Sequence, residues 1–140
     1  MITFVTTTAS TSTSFKEGTI DDVVEYCSKA EVLGVDTETE GFDFTCKKMI
    51  MFQIGDEHQQ FVIDTRFVSI EPLRDILESE DIIKIFHNAK FDYKFIKRWA
   101  DIECANIYDT FLVERVINCG KDLRYGLAHL CDRYLVVELY

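Results

Sequence analysis

The run Val32-Leu33-Gly34-Val35 passes directly into Asp36-Thr37-Glu38-Thr39-Glu40, and this junction narrows the fold more than anything else in the chain. A short apolar run with β-branched ends and no polar alternation reads as a buried strand at the centre of a sheet. The acids mark where that strand emerges. Upstream, Thr19 is placed as a helix N-cap with Asp22 at the capping-box position, and Ile20, Val23, Val24 and Cys27 recur at helical spacing, predicting an amphipathic helix over 19–30. Downstream, 49–54 and 60–63 read as two strands joined by the polar turn Gly55-Asp56-Glu57-His58. Ser69 is expected to cap a short helix carrying Ile70, Leu73 and Leu77, and 81–86 is a further strand. Three helices follow over 89–99, 109–118 and 124–134, the second behind an Asp109 cap and with Leu112, Val113, Val116 and Ile117 on its apolar face. This order predicts an α/β domain, a mixed sheet flanked by helices whose first strands form an antiparallel meander.

At 140 residues the chain holds one core, not two. Fifteen basic against 25 acidic residues leave a net charge of −10, the wrong sign for a protein that coats duplex DNA through its phosphates. An enzyme that meets a few phosphates through metal ions stays allowed, because cations between clustered carboxylates and substrate reverse the local sign. No apolar run is long enough to span a membrane. The five cysteines form no C-x-x-C pair, and the N-terminus has no signal-peptide pattern, so the expectation is free thiols and a cytoplasmic chain. Residues 1–18 read as an N-terminal strand followed by a polar arm, since eight of the nine residues from Thr6 to Ser14 are Ser or Thr.

Two acidic sites stand out. Asp36 and Glu38, two apart on a strand, project to the same face, where a hard divalent cation such as Mg²⁺ would relieve their repulsion. The second lies in His87-Asn88-Ala89-Lys90-Phe91-Asp92, where a strand gives way to a helix. At 100° per residue Asp92 shares the inward face with Phe95, Ile96 and Trp99, while Lys90, Lys94, Lys97 and Arg98 point the other way, as a solvated outer face. An inward carboxylate requires a partner; a helix N-terminus supplies one, and a shared metal ion is the sharper explanation.

In this order Asp36-Thr37-Glu38-Thr39, Asn88-Ala89-Lys90-Phe91-Asp92 and Tyr108-Asp109-Thr110 resemble the motifs of the DEDD 3′-5′ exonucleases, in particular the proofreading domain of family A DNA polymerases and ribonuclease D. The segment from Gly126 to Leu135 is similar to the stretch before that family's final motif, so the resemblance runs from about residue 19 to 140. It implies an RNase H-like fold and hydrolysis of terminal phosphodiesters at a single-stranded 3′ end with two divalent cations, Mg²⁺ or Mn²⁺. Asp36 would bridge both ions, Glu38 would bind one and Asp92 would help hold the other. Thr39 and Asn88 would lie beside the substrate terminus or support the acids, and Asp109 is read as a helix cap rather than a ligand.

The family's fourth Asp, with a Tyr or His four residues before it on a last helix, has no match here. Tyr134 with Glu138, and His129 with Asp132, are imitations lying in the segment that precedes that motif. Residues 19–140 are therefore expected to form an exonuclease-like domain lacking the final helix, with apolar sheet surface open to a polymerase or a second polypeptide that supplies it. Single-stranded DNA is the expected substrate and RNA trimming the near alternative. A non-catalytic binding module with the same fold, and a metal-dependent endonuclease of another RNase H-like type, are the other readings.

Overall fold

A computed structural model describes residues 1–7 and 16–135. Most of the Ser/Thr-rich run, and Glu138, lie outside the described residues. Seven strands form one sheet: β1 (Ile2–Val5), β2 (Lys16–Gly18), β3 (Val32–Thr39), β4 (Met49–Gly55), β5 (Gln60–Asp64), β6 (Ile83–Phe86) and β7 (Ile107–Asp109), in the order β2-β1-β5-β4-β3-β6-β7. The expected meander is there: β3 pairs antiparallel with β4, and β4 with β5. β1, set apart in the sequence with residues 1–18, joins the same sheet parallel to β5, and β2 continues it. β6 lies parallel to β3 and β7 parallel to β6. The β4–β5 turn requires glycine, since a Cβ on Gly55 would stand 2.3 Å from the Gln59 carbonyl oxygen.

Among the described residues five α-helices accompany the sheet: α1 (Ile20–Cys27), α2 (Arg74–Leu77), α3 (Ala89–Ala100), α4 (Thr110–Ile117) and α5 (Leu127–Tyr134). Thr19 and Asp22 close the predicted capping box on α1: the Asp22 N–H donates to Thr19 Oγ1 at 3.3 Å and the Thr19 N–H to Asp22 Oδ2 at 2.7 Å. The short helix foreseen after Ser69 is a 3₁₀ turn, Glu71–Leu73, running into α2, with Ser69 Oγ accepting the Glu71 N–H.

α1, α2 and α3 cover one face of the sheet. Cross-strand register puts Val5, Ile63, Phe52, Leu33 and Phe86 on that face, all buried, against Val23, Leu73, Leu77, Phe95 and Ile96. Each of these side chains contributes about 1.5–3 kcal/mol relative to exposure. Among the described residues the opposite face is open. Val32, expected inside, is 40% exposed, and Gly34, Asp36 and Glu38 share its side. β3 is thus central in the sheet but buried on one face only: alternation along the strand sends Leu33, Val35 and Thr37 inward and their neighbours outward.

α4 also departs from expectation. Its apolar positions Leu112, Val116 and Ile117 are exposed, and the buried residue is Glu114. The face turned toward α5 is polar: Glu114 accepts from Asn118 Nδ2 at 3.1 Å and from the Tyr134 hydroxyl at 2.5 Å, and it pairs with Arg133. Trp99, projected onto the inward face of α3, is 39% exposed at the helix's last turn and donates from its indole nitrogen to the Lys47 carbonyl at 2.9 Å. Among the described residues all five cysteines are free thiols, and no helix is long and apolar enough to cross a membrane.

Candidate active site

The last residue of β3 paired with β6 is Gly34. Beyond it β3 continues to Thr39 while β6 ends at Phe86, and the chain turns into α3 beside the extension. Asn88 makes that turn in the left-handed conformation (φ 68°, ψ 50°), which Asn tolerates better than most residues. The first turn of α3 thereby enters the gap left where β6 stops, and Asp92 rests against β3. Its Oδ1 accepts both the Thr37 N–H at 3.0 Å and the Thr37 hydroxyl at 2.6 Å, joining residues 55 apart in sequence. Asp92 is buried, as its helical projection predicts.

Asp36, one residue before Thr37, projects to the open face into a broad recess with Gln53, Ile85 and His87 along its walls. The two aspartates still sense each other. Burial pushes the Asp92 carboxyl up to about 6, against the pull of the Thr37 hydrogen bonds, and the negative charge of Asp36 adds to the rise. Partial burial also pushes the Asp36 carboxyl up, countered by the Thr37 N–H and by His87. Glu38 is exposed on the same face as Asp36. Thr39 turns its hydroxyl to the Gly41 carbonyl at 2.8 Å. Asn88 lines a concavity with Phe42, Lys90 and Phe91.

Among the described residues no three carboxylate, imidazole or thiol groups gather closely enough to enclose an ion. The donors themselves suit a divalent cation. Asp36 and Asp92 offer hard oxygens, their carboxylates repel, and a dication removes that repulsion. Asp109 behaves as the cap foreseen for it and does more. One oxygen accepts the Asn88 and Phe111 N–H groups at 3.0 and 2.9 Å, and the other accepts the Ala89 N–H at 2.9 Å, so one carboxylate ties together the starts of α3 and α4. His129 and Asp132 stay outside this site, on α5.

A family model described as 3′-5′ exonuclease matches residues 12–140. The chain belongs to the 3′-5′ exonuclease family. Ribonuclease D of Sphingobium indicum is 26% identical over 123 residues, 84% of this chain and 31% of that protein. Human exosome complex component 10 is 27% identical over 124 residues, 85% of this chain and 14% of that protein. The chain therefore spans under a third of these curated relatives. Brucella melitensis NrnC superposes with a TM-score of 0.76 at 20% identity over 99% of this chain and 63% of that structure, a likeness of fold.

Within this exonuclease fold two residues escaped sequence reading. Thr37 lies between the motif's acids, yet alternation turns it to the opposite face, toward any inward residue of a helix packed there; that signal was available. His87 was quoted only as part of a motif. Its Nδ1 lies 2.9 Å from Thr110 Oγ1, whose own hydroxyl donates to the Phe86 carbonyl at 3.1 Å. With the threonine proton so committed, the imidazole donates from Nδ1 to the Thr110 hydroxyl.

Proposed function

We propose that this chain forms the catalytic domain of a 3′-5′ exonuclease that removes nucleotides from a single-stranded end, with Asp36, Glu38 and Asp92 holding two divalent cations, Mg²⁺ or Mn²⁺. What supports it best is the 3′-5′ exonuclease family model over residues 12–140, with Asp36 on the end of β3 and Asp92 held against the neighbouring Thr37 by the start of α3. Such a pair is costly without a cation between its members. Bound cations supply an activated water and neutralise the leaving 3′ oxygen. The chain's own contribution is to hold that chemistry in place. Thr37 anchors one carboxylate oxygen of Asp92 through two hydrogen bonds, Asp109 fixes the helix that carries it, and Glu38 adds a carboxylate on the face of Asp36. Thr39 and Asn88 would lie beside the terminal nucleotide.

Brucella melitensis NrnC has been solved with bound Mg²⁺ and bound to pGG, which agrees with a metal-assisted site that accepts short nucleic acid. Proofreading of single-stranded DNA was the expectation from sequence. A relative named ribonuclease D favours RNA as the second substrate to test. The experiment is digestion of 5′-labelled single-stranded DNA and RNA with Mg²⁺ or Mn²⁺, beside a chelator and Asp36→Ala. A ladder shortening from the 3′ end, abolished in both controls, is expected. Cleavage at parental rate by Asp36→Ala would reject the assignment. Absence of cleavage on every substrate would leave the non-catalytic binding module as the better reading, with the open sheet face awaiting a polymerase or second polypeptide.

A further inference from the structure

Two adjoining concavities, of about 420 and 450 Å³, run from Asn88 along the outer side of α3, and both contain Phe44 and Lys94. The first opens beside Asp43 and Phe42, which is 91% exposed; the second reaches Arg98 and Asp101, and Trp99 adjoins it through Arg98. Cations and aromatic rings alternate along this path. The Lys94 ammonium lies 5.1 Å from the Phe44 ring centre, and the Arg98 guanidinium lies 5.0 Å from that of Trp99. Lys97 is committed to Asp101 and Glu103, whereas Lys94 and Arg98 make no ion pair among the described residues. On a chain with a net charge of −10 such a basic strip is a local reversal of sign.

We propose that the strip from Phe42 to Trp99 is a binding track for single-stranded nucleic acid, holding the strand upstream of the end that enters the Asp36–Asp92 site. Phosphates meet Lys90, Lys94 and Arg98, and bases stack on Phe44 and Trp99, the combination that binds single strands without reading sequence. The proposal rests on the exonuclease reading for the direction of the strand but not for the binding itself. From Lys90 to Trp99 the helix rises about 14 Å, the span of about four stacked nucleotides at roughly 3.4 Å each. Phe44 was invisible in the α3 sequence because it comes from the β3–β4 connection.

Trp99 is the chain's single tryptophan, so its emission reports on the track directly. The test is titration, in chelator, with a thymidine oligonucleotide of about 16 nucleotides and with a trinucleotide that fills only the terminal site. Binding of the longer strand is expected to quench Trp99, and the trinucleotide to leave it nearly unchanged. Lys94→Glu with Arg98→Glu should weaken binding at least tenfold at low salt and flatten the slope of log affinity against log salt by about 1.4, at roughly 0.7 for each phosphate no longer neutralised. Lys29→Glu, in the turn that follows α1, should change neither. The neutral pair Lys94→Gln with Arg98→Gln should fall between, which guards against a folding defect. Oligonucleotide bound by anisotropy with Trp99 unmoved, parental affinity in the double charge reversal, or equal quenching by inorganic polyphosphate would each overturn the track. Loss of cleavage in Asp36→Ala with the Trp99 response intact, or the reverse in the double charge reversal, separates this proposal from the catalytic one.

Discussion

Asp109 and Asp92 are both acids in family-like motifs, and their surroundings give them opposite work. Asp109 accepts N–H groups from the first residues of two helices. Removing one helix cap costs about 0.5–2 kcal/mol, so Asp109→Ala is expected to lower stability by about 2–3 kcal/mol in a denaturant titration. Asp109→Asn, which keeps an acceptor, should lose clearly less; equal losses would mean that charge rather than capping matters. Asp92 behaves the other way. Its carboxyl is raised to about 6 in the folded chain against an ordinary value of 3.8, so the folded state holds that proton more tightly than the unfolded one. Its stabilising effect is complete below the ordinary value and is lost as pH rises through about 6. Asp92→Asn keeps an acceptor for Thr37 without the charge. It should therefore be more stable than the parent at pH 7.5, by about 1–3 kcal/mol, with the difference fading toward pH 4. Added Mg²⁺ or Mn²⁺ should raise the melting temperature of the parent above pH 6 and leave Asp92→Asn unmoved. A parent that melts no lower than Asp92→Asn at pH 7.5 would contradict the burial argument.

The helices foreseen in the sequence formed where local signals decide them, and the faces they bury were legible only where a sheet lies beneath. Periodicity placed Asp92 inward because α3 packs on β3 and β4, and the capping box fixed the start of α1 from Thr19 and Asp22 alone. The same periodicity misjudged α4, whose apolar stripe was visible but whose neighbour was not. There the contact is made by Glu114, reached by Arg133, Tyr134 and Asn118 from positions that no spacing rule links to it. β3 was misjudged for a related reason: four consecutive apolar residues, one of them glycine, masked the alternation that leaves Val32 in the open. The motifs and their resemblance point to Asp36 and Asp92 as ligands of shared cations; the strand order adds where the end of β3 and the start of α3 lie relative to each other. Glu114 gives this scale its prediction. Glu114→Ala leaves the Arg133 side chain without its buried partner, and breaking such a pair costs about 3–5 kcal/mol when fully buried. Because the pair joins α4 to α5 and not to the main core, the loss should be local. Amide exchange within 127–134 should accelerate strongly while that of β3 and β4 stays parental; uniform acceleration would show that α5 belongs to the same cooperative unit as the sheet.

At the scale of the molecule the chain carries two surfaces of different character. One is the basic, aromatic side of α3. The other, among the described residues, is apolar: the sheet face with Val32 and Ile83 on its floor and Leu127 at its rim, together with the exposed stripe Leu112, Val116 and Ile117 on α4. Apolar surface of this extent binds reporter dyes and promotes association, whereas a net charge of −10 resists it by mutual repulsion. Salt separates the two. Raising ionic strength shortens the Debye length from about 30 Å at 0.01 M to about 8 Å at 0.15 M. That weakens any contact between phosphates and Lys94 or Arg98, and it removes the repulsion that keeps copies apart. Sedimentation velocity and oligonucleotide anisotropy on one sample should accordingly move in opposite directions, with larger species appearing as nucleic-acid affinity falls. Val116→Lys with Ile117→Lys provides the control. It brings the net charge nearer zero and would favour association if charge governed it, yet it should suppress both dye binding and the larger species because it breaks the apolar stripe. Association that grows in this variant would assign it to charge and leave the α4 stripe without a role.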